Sequence, residues 1–506
     1  MTTSETQEIE RKYAVSDDTP LPPVAGIAGI ARVRAHDPVE LDAQYFDTED
    51  LALLSNKVTL RKRTGGSDEG WHLKLPGEGF RREIHSPLTR SDSVPEALLM
   101  RLHVALRGRG VGPVVRLTTS RTVYDLLDAD GNRLAEICDD TVTSSPGIAG
   151  ATANRWREWE VELHAGGPEL LEDVEPVLLA AGASSDAGPS KLARALGSLV
   201  PKSAPAPEWP TNPTVSDVAR RYLSRETARL KDHDAGVRLQ AEDAIHQMRV
   251  AARRLRSVLS SYRDLVGHQR SQALREELKA LADSLGGARD NEVMLARLGR
   301  LLDEQPEDRV LGPVRDRITE TLSKRYEDAH AAAVQFMTSA RYYTLLDSLD
   351  ALVNDVELDE AGDVLATDGL VDFFDRDWKR VRRAVRRADS LTDREEREVA
   401  LHDVRKAAKR LRYGMESVGD VLGRQARKIA KAASVITEIL GDHNDSVITS
   451  QVIGELAAAA FARGENTFTY GRMQGIEDAG AVVSQDEYRD ALQALDHLRF
   501  EHWKKL

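Results

Sequence analysis

The chain has 506 residues, with 70 Lys and Arg against 83 Asp and Glu, a formal net charge of −13, and 41% hydrophobic residues. That length holds about two to four domains with cores of their own, and the acidic balance excludes a general nucleic-acid binder. A single cysteine, Cys138, excludes an internal disulfide, and no apolar run approaches a membrane span.

Met1 to Gln7 lack the basic and apolar regions of a secretory signal. With one thiol, this sets the expectation of a soluble protein of the reducing cytoplasm, with neither nucleic acid nor membrane as partner. Side chains alternate across a strand. Glu8-Ile9-Glu10-Arg11-Lys12 therefore puts two carboxylates and an ammonium on one face. Lys57-Val58-Thr59-Leu60-Arg61-Lys62-Arg63 sets Lys57, Thr59, Arg61 and Arg63 against Val58 and Leu60. Next, His72 and Lys74 oppose Trp71, Leu73 and Leu75, and Arg81 and Glu83 alternate with Phe80, Arg82 and Ile84. Arg116 and Arg121 flank a Thr-rich segment, Glu136 aligns with Asp140, and Glu158, Glu160 and Glu162 oppose Trp159, Val161 and Leu163. Such period-two segments, separated by turn signals such as Thr64-Gly65-Gly66-Ser67, predict an antiparallel β domain. If the sheet closes, its cations and acids share one lumen, which is costly without a ligand. A chain of phosphates would satisfy the cations, and a divalent ion the acids; magnesium suits one or two carboxylates plus phosphate oxygens.

Taken together, Glu-x-Glu-x-Lys at 8–12, Arg-x-Arg at 61–63, Lys74, Arg-x-Glu at 81–83 and the late Glu-x-Glu resemble the CYTH domain. The resemblance covers about residues 5–200, including Ser190-Lys191-Leu192-Ala193-Arg194, similar to the family's closing basic helix. It implies an eight-stranded antiparallel tunnel barrel whose members hydrolyse or cyclise triphosphates with Mg²⁺ or Mn²⁺. By that resemblance, Lys12, Arg61, Arg63, Lys74, Arg81 and Arg121 are the expected catalytic set. Glu8, Glu10, Asp140, Glu160 and Glu162 are the expected metal ligands, with the choice among Glu158, Glu160 and Glu162 open. Arg116, Glu83, Glu136, Lys191 and Arg194 are further substrate-binding candidates; near Arg116 the family carries a basic pair, and Thr118 stands here. Lys12 acts as a base or, preferably, as a phosphate ligand.

Residues 201–213 are proline-rich and read as a semi-rigid linker. Beyond them the pattern turns helical. His246-Gln-Met-Arg-Val-Ala-Ala-Arg-Arg-Leu-Arg256 returns as His402-Asp-Val-Arg-Lys-Ala-Ala-Lys-Arg-Leu-Arg412. Each copy is followed by a predicted turn, Leu285-Gly-Gly-Ala-Arg-Asp290 and Leu440-Gly-Asp-His-Asn-Asp445. The constant offset indicates duplication. His246, Arg249, Arg253 and Arg256 fall in a sector of roughly 80°, with Met248, Leu255 and Leu259 behind them; His402, Arg405, Lys409 and Arg412 repeat this against Val404, Leu411 and Met415. Stacked like charges repel without an anion between them. Lys379, Arg382, Arg383 and Arg386, then Arg424, Arg427, Lys428 and Lys431, add two more basic clusters. Asp290 and Asp445 are expected to orient an arginine or cap a helix.

The repeated signature resembles the CHAD domain over about 214–506, which implies polyphosphate binding by His246, Arg249, Arg253, Arg254, Arg256, His402, Arg405, Lys406, Lys409, Arg410 and Arg412. The expected architecture is an α+β multidomain chain. A CYTH-like barrel at 1–200 and the linker at 201–213 precede an all-α domain at 214–506, duplicated at about 214–360 and 361–506. The expected activity is metal-dependent hydrolysis of inorganic triphosphate or short polyphosphate. The alternatives are adenylate cyclisation or thiamine triphosphate hydrolysis on the same fold, and a non-catalytic polyphosphate scaffold.

Overall fold

The computed structural model describes residues 3–77, 79–89, 93–201, 208–354, 362–480 and 485–498. The chain divides into two compact units, Met1–Ala206 and Pro207–Leu506. Of the expected linker, residues 202–207 lie outside the described residues, and 208–213 are irregular.

The first unit contains β1 (Ser4–Glu8), β2 (Glu10–Val15), β3 (Arg32–Ala35), β4 (Val39–Asp47), β5 (Thr59–Thr64), β6 (Gly70–Pro76), β7 (Arg81–Ser86), β8 (Gly112–Leu127), β9 (Arg133–Pro146) and β10 (Asn154–Leu163). Their order is β1-β7-β6-β5-β4-β8-β9-β10-β2, antiparallel throughout, with β3 alongside β8. β1 and β2 are one run of chain that changes neighbour at Ile9: Glu8 lies opposite Arg81 of β7, and Glu10 opposite Glu162 of β10. The two ends of the sheet thereby join. With β1 and β2 counted as one and β3 set aside, eight strand positions encircle the lumen, the barrel expected from alternation and resemblance.

Lys57 does not extend the strand before Arg61. Its φ of 60° is a left-handed turn after α1 (Ala52–Ser55), and β5 starts at Thr59. Two apolar clusters lie on the outer face of the ring. Beside α2 (Glu96–Leu99) and α3 (His103–Leu106), Leu60, Trp71, Leu73 and Ile84 are fully buried with Leu53, Leu98 and Leu102. Tyr13, Ile137 and Trp159 are buried with Leu170, Val174 and Leu178 of α4 (Glu169–Ala180). Ser190 accepts the Ala193 N–H to cap α5 (Lys191–Leu196), whose Leu192 and Leu196 pack with Val115, Leu117 and Trp156. Each large apolar side chain so buried contributes about 1.5–3 kcal/mol. The first two clusters lie outside the ring, whereas Val115, Leu117 and Trp156 share the inward face with Arg121 and Glu158, so α5 fills one part of the inside with apolar side chains and leaves the rest to carry charge.

The second unit is helical: α6 (Val215–Asp232), α7 (Asp234–Arg238), α8 (Ala244–Ser261), α9 (Arg263–Val266), α10 (His268–Ser284), α11 (Gly286–Asp303), α12 (Val314–Met337), α13 (Ala340–Asn354), α14 (Ala366–Ser390), α15 (Arg394–Ser417), α16 (Gly419–Ala462), α17 (Phe468–Gly480) and α18 (Gln485–Asp496). Thr214 and Asp217 form a capping box at α6, and Asp393 caps α15. α8 packs against α6, α10 and α15, and α15 against α14 and α16. Met248, Leu255, Leu259, Val404, Leu411 and Met415 are all fully buried, as their spacing predicts.

The two expected turns are not loops. Gly286 begins α11 after the single turn residue Leu285, and residues 440–445 lie within α16. Gly441 serves close approach instead, whereas a side chain at Gly286 would make only ordinary contact. A β-carbon at Gly286 would lie 3.8 Å from the Arg249 guanidinium, and one at Gly441 would lie 3.2 Å from that of Arg405. Among the described residues, no helix is long and apolar enough to cross a membrane.

Candidate functional site

Alternation sends Glu8 of β1, Lys12 of β2, Arg61 and Arg63 of β5, Lys74 of β6, Arg81 and Glu83 of β7, Arg121 of β8, Glu136 of β9, and Glu160 and Glu162 of β10 into one cavity of about 280 Å³, with Lys191 of α5. Strand register arranges these charges in rungs. Across β2, β10, β9 and β8, Glu10 faces Glu162, Glu162 faces Glu136, and Glu136 faces Asp125. Two residues further along β2 and β10, Lys12 faces Glu160; beyond that, Glu158 faces Asp140 and Asp140 faces Arg121.

One end of the lumen is neutralised internally. Arg121 makes a bidentate pair with Asp140 at 2.7 and 2.6 Å and reaches Glu160 at 2.8 Å. The Lys191 ammonium lies 2.9 Å from Asp140, 2.8 Å from Glu158 and 2.6 Å from Glu160. Lys12 pairs with Glu160 and, at 2.9 Å, with Glu10. Burial opposes charge on all of these groups, yet the opposite charges win: Lys12, Lys191 and Arg121 are raised, and Asp140 and Glu160 are lowered. Lys12 is thereby favoured in its charged form. Asp140, Glu158 and Glu160 each offer an oxygen within 4.8 Å of the others, a buried triad that could hold a divalent ion in competition with Lys191.

The other end is less balanced. Lys74 holds Glu8 at 2.5 and 2.6 Å, and Glu83 accepts from His72 at 2.9 Å and lies 3.6 Å from Arg61. Arg81 is 4.0 Å from Glu10 and donates to the Pro189 carbonyl. Arg133 and His164 approach Glu136 at 2.9 and 3.2 Å. Glu162, between Glu10 and Glu136, has no ion pair among the described residues. Burial, with Glu8, Glu136 and Glu10 close by, pushes its carboxyl up to about 7. Like charges directly opposite on neighbouring strands destabilise a sheet. Glu8, Glu10 and Glu162 are oxygen donors of the kind a hard cation takes, but among the described residues the carboxylates gathered at metal-ligand spacing are Asp140, Glu158 and Glu160.

Arg116 is not part of this cavity. It is 63% exposed and pairs with Asp42 at 2.5–3.0 Å, on the opposite face of β8 from Arg121. An odd separation of five residues along a regular strand puts the two arginines on opposite faces. Arg194 stacks 5.2 Å from the Trp156 ring and lies 3.5 Å from Glu158, at the edge of the site. The sequence reading left Glu158 undecided and passed over Tyr45, whose hydroxyl accepts from Arg61 at 3.4 Å. Tyr45 was detectable in principle, because it alternates with the outward Phe46 on β4. Beside the cavity, sharing Arg63, Arg121, Arg133 and Glu136 with it, opens a wider space of about 740 Å³ with Val39, Leu41, Val123 and Leu127 in its wall.

In the helical unit, the paired packing of α8 and α15 brings Arg249, Arg253, Arg405 and Lys409 together. Burial, followed by the Arg405 and Arg253 charges, pushes Lys409 down to about 8. Burial and the Arg249 and Arg405 charges also lower Arg253. His246 and His402 are lowered by burial and neighbouring cations, so both are mainly neutral at pH 7. Asp290 accepts from Arg249 at 2.9 Å, the orienting role expected of it. Arg412 pairs with Glu416 at 2.8 Å, and exposed Lys406 lies 3.6 Å from Asp403. Arg254 and Arg410 do not join the shared face. Arg254 lies 3.6 Å from the fully buried Glu226 of α6, and Arg410 is 2.6 Å from the buried Asp377 of α14. Arg254 also pairs with Glu416 of α15 at 3.2 Å, so it ties α8 to both α6 and α15, whereas Arg410 ties α15 to α14. Arg256 turns toward Arg275 of α10, whose guanidinium is lowered by burial and by the Arg256 charge.

Comparison with known proteins follows the same division. Residues 6–195 match the CYTH domain, and residues 221–454 the CHAD domain. The chain is 39% identical to the uncharacterized protein Rv2226 of Mycobacterium tuberculosis, over 97% of this chain and 96% of that one. Among solved structures, the CHAD domain from the plant Ricinus communis is 24% identical, covering 58% of this chain and 97% of that one at a TM-score of 0.44. PptA from Streptomyces chartreusis is 19% identical, covering 56% and 99% at a TM-score of 0.42. With a CYTH domain followed by a CHAD domain, and a full-length relative at this identity, the chain belongs to the CYTH–CHAD fusion proteins.

Proposed function

We propose that the barrel is a metal-dependent hydrolase of inorganic triphosphate or short-chain polyphosphate, and that the helical unit binds polyphosphate. The observation that carries this reading is the lumen's pairing of a cationic wall with an acidic rung whose central carboxylate, Glu162, lacks a counter-ion. Glu8, Glu10 and Glu162 are the first candidate ligands for Mg²⁺ or Mn²⁺, and Asp140 with Glu160 the second. When bound, the ion would neutralise phosphate oxygens and polarise the scissile bond.

The chain's own residues do the rest by position and charge. Arg61, Arg63, Lys74, Arg81 and Arg121 line the path of the phosphate chain and offset charge gathering on the leaving phosphate. Lys12, kept protonated by Glu160 and Glu10, donates hydrogen bonds to phosphate oxygen. Water attacks a terminal phosphorus, the P–O–P bond breaks, and triphosphate leaves as pyrophosphate and phosphate. We assign polyphosphate binding to Arg249, Arg253, Arg405 and Lys409, with His246 and His402 as neutral donors. Arg254 and Arg410 are structural in this scheme. A second reading, an organic triphosphate as substrate, is favoured by the apolar-walled space beside the tunnel, which has room for a group that inorganic triphosphate lacks.

The test is product analysis after incubating purified protein with Mg²⁺ or Mn²⁺ and triphosphate, ATP, thiamine triphosphate or long polyphosphate. Phosphate and pyrophosphate from triphosphate, lost in Glu162→Gln and Glu8→Ala, are expected. Full turnover in both variants at saturating metal would sink the assignment. Cyclic nucleotide from ATP, or preferential hydrolysis of an organic triphosphate, would move the reading to the alternatives.

A further inference from the structure

The helical unit holds a second cationic cavity away from the α8–α15 face. It measures about 220 Å³, smaller than the barrel lumen's 280 Å³, and is walled by the end of α8, by α9, and by α14 and α15. On its floor Asp377, 1% exposed, accepts from Ser261 at 2.5 Å and pairs with Arg410 at 2.6 Å. That single buried carboxylate is fully engaged. Around it stand Arg263, Arg380 and Arg383, with Arg376 and Lys379 at the rim.

The rim cations are answered locally: Arg376 pairs with Asp264, and Lys379 with Asp375 at 2.5 Å. Arg380 and Arg383 have no ion pair among the described residues. Arg256 and Arg275, just behind, each bury an Nε without a hydrogen-bond partner. Burial comes first, and the charges of Arg380, Arg275 and Arg263 follow, in pushing Arg410 down to about 10. Arg263 also lies 3.5 Å from Asp264, so the cations converging here outnumber Asp377 and Asp264, an arrangement that an entering anion relieves.

We propose that this cavity is a binding site for a compact phosphoanhydride anion of two or three phosphate groups, held chiefly by Arg263, Arg380 and Arg383. Its size selects the ligand. The space is walled by several helices, with Arg380 and Arg383 reaching into it from exposed positions, and its volume is of the same order as the barrel lumen's, so it takes a short anion. Guanidinium forks match phosphate oxygens in pairs, which favours phosphate over a simple halide. The site does not depend on the polyphosphate reading of the α8–α15 face. Arg410 lies roughly 140° around α15 from Arg405, given the helical repeat.

The test is arginine-selective chemical footprinting of the full chain, read by mass spectrometry, with inorganic pyrophosphate as probe and no divalent metal. At ten times its Kd, pyrophosphate is expected to slow modification of Arg380 and Arg383 by about tenfold, as occupancy requires. The protection is expected to persist in the Arg249→Gln, Arg253→Gln, Arg405→Gln, Lys409→Gln variant. In Arg380→Gln, Arg383→Gln, the protection of Arg263 is expected to disappear, while the unliganded melting temperature stays level or rises as repulsion is relieved. Equal modification rates with and without pyrophosphate would overturn the proposal. So would protection that vanishes in the α8–α15 variant, or a melting temperature that falls in the Arg380, Arg383 variant, which would show these arginines to be partnered within the chain.

Discussion

Two cationic regions of this molecule solve opposite problems. In the barrel, almost every lysine and arginine is matched: Lys191 lies within 2.9 Å of three carboxylates, and Arg121 is held by two. On the α8–α15 face, burial first and then one another's positive charge lower the pKa of Arg253 and Lys409. The difference teaches what each region is prepared for. A neutralised lumen is preorganised, so a ligand there exchanges one set of partners for another. An unneutralised face stores repulsion that any polyanion relieves, at the cost of salt sensitivity.

The sharpest way to break this comparison is Lys191→Met. It leaves three buried carboxylates short of a counter-charge, and removing one partner of a buried pair costs about 3–5 kcal/mol. Urea unfolding should show that loss, and added Mg²⁺ should restore more stability to the variant than to wild type, because Asp140, Glu158 and Glu160 become free to share an ion. A loss below about 1 kcal/mol, typical of exposed pairs, would mean the lumen is not neutralised in the way described.

On the helical side, replacing Arg249, Arg253, Arg405 and Lys409 by Gln should lower affinity for long polyphosphate by roughly a hundredfold, if each contact contributes about 0.7 kcal/mol. Melting temperature should change little, because the apolar faces of both helices stay intact. Equal binding at matched salt would reduce this face to a solvated surface.

Arg61→Ala tests the lumen from the substrate side. One charge-assisted contact is worth about 1.5–3 kcal/mol, so kcat/KM for triphosphate should fall at least about tenfold.

The smallest effect is the most specific. Lys409 has its pKa depressed to about 8 in the free protein, and a bound polyanion raises it by favouring the charged form. Polyphosphate affinity should therefore be full below pH 8 and decline a few-fold as pH rises past it. Lys409→Arg should flatten that decline, since arginine stays charged. An unchanged profile in the variant would detach the pH response from this residue.

Much of the lumen was legible because alternation is strict. Glu8, Lys12, Arg61, Arg63, Lys74 and Glu83 reach one cavity for the reason their spacing gives, and the same rule excludes Arg116 from it. Register was not legible, because which carboxylates stand opposite one another depends on hairpin lengths and on the switch at Ile9. The Glu10–Glu162–Glu136 rung is a product of that pairing. In the helical unit, periodicity located the buried faces correctly. It misread Gly441, since a turn and a close approach both select glycine, and Gly286 simply begins α11. Arg254 and Arg410 were expected as ligands from the resemblance, which does not show the neighbours they meet, a buried acid on α6 and one on α14.

The exchange of neighbours at Ile9 carries a further consequence, for assembly. The first strand of the ring must pair with β7 and with β10, the last strand, whose partner to Glu10 lies at position 162. Until the chain has been extended that far, two sheet edges stay open, with free backbone groups and outward tryptophans exposed to association. Closure joins the most distant parts of the unit in sequence, so it should be the slow, entropically costly step of barrel folding. A chain lacking residues 4–15 should keep its hairpins yet never form a ring, and be prone to edge-to-edge aggregation.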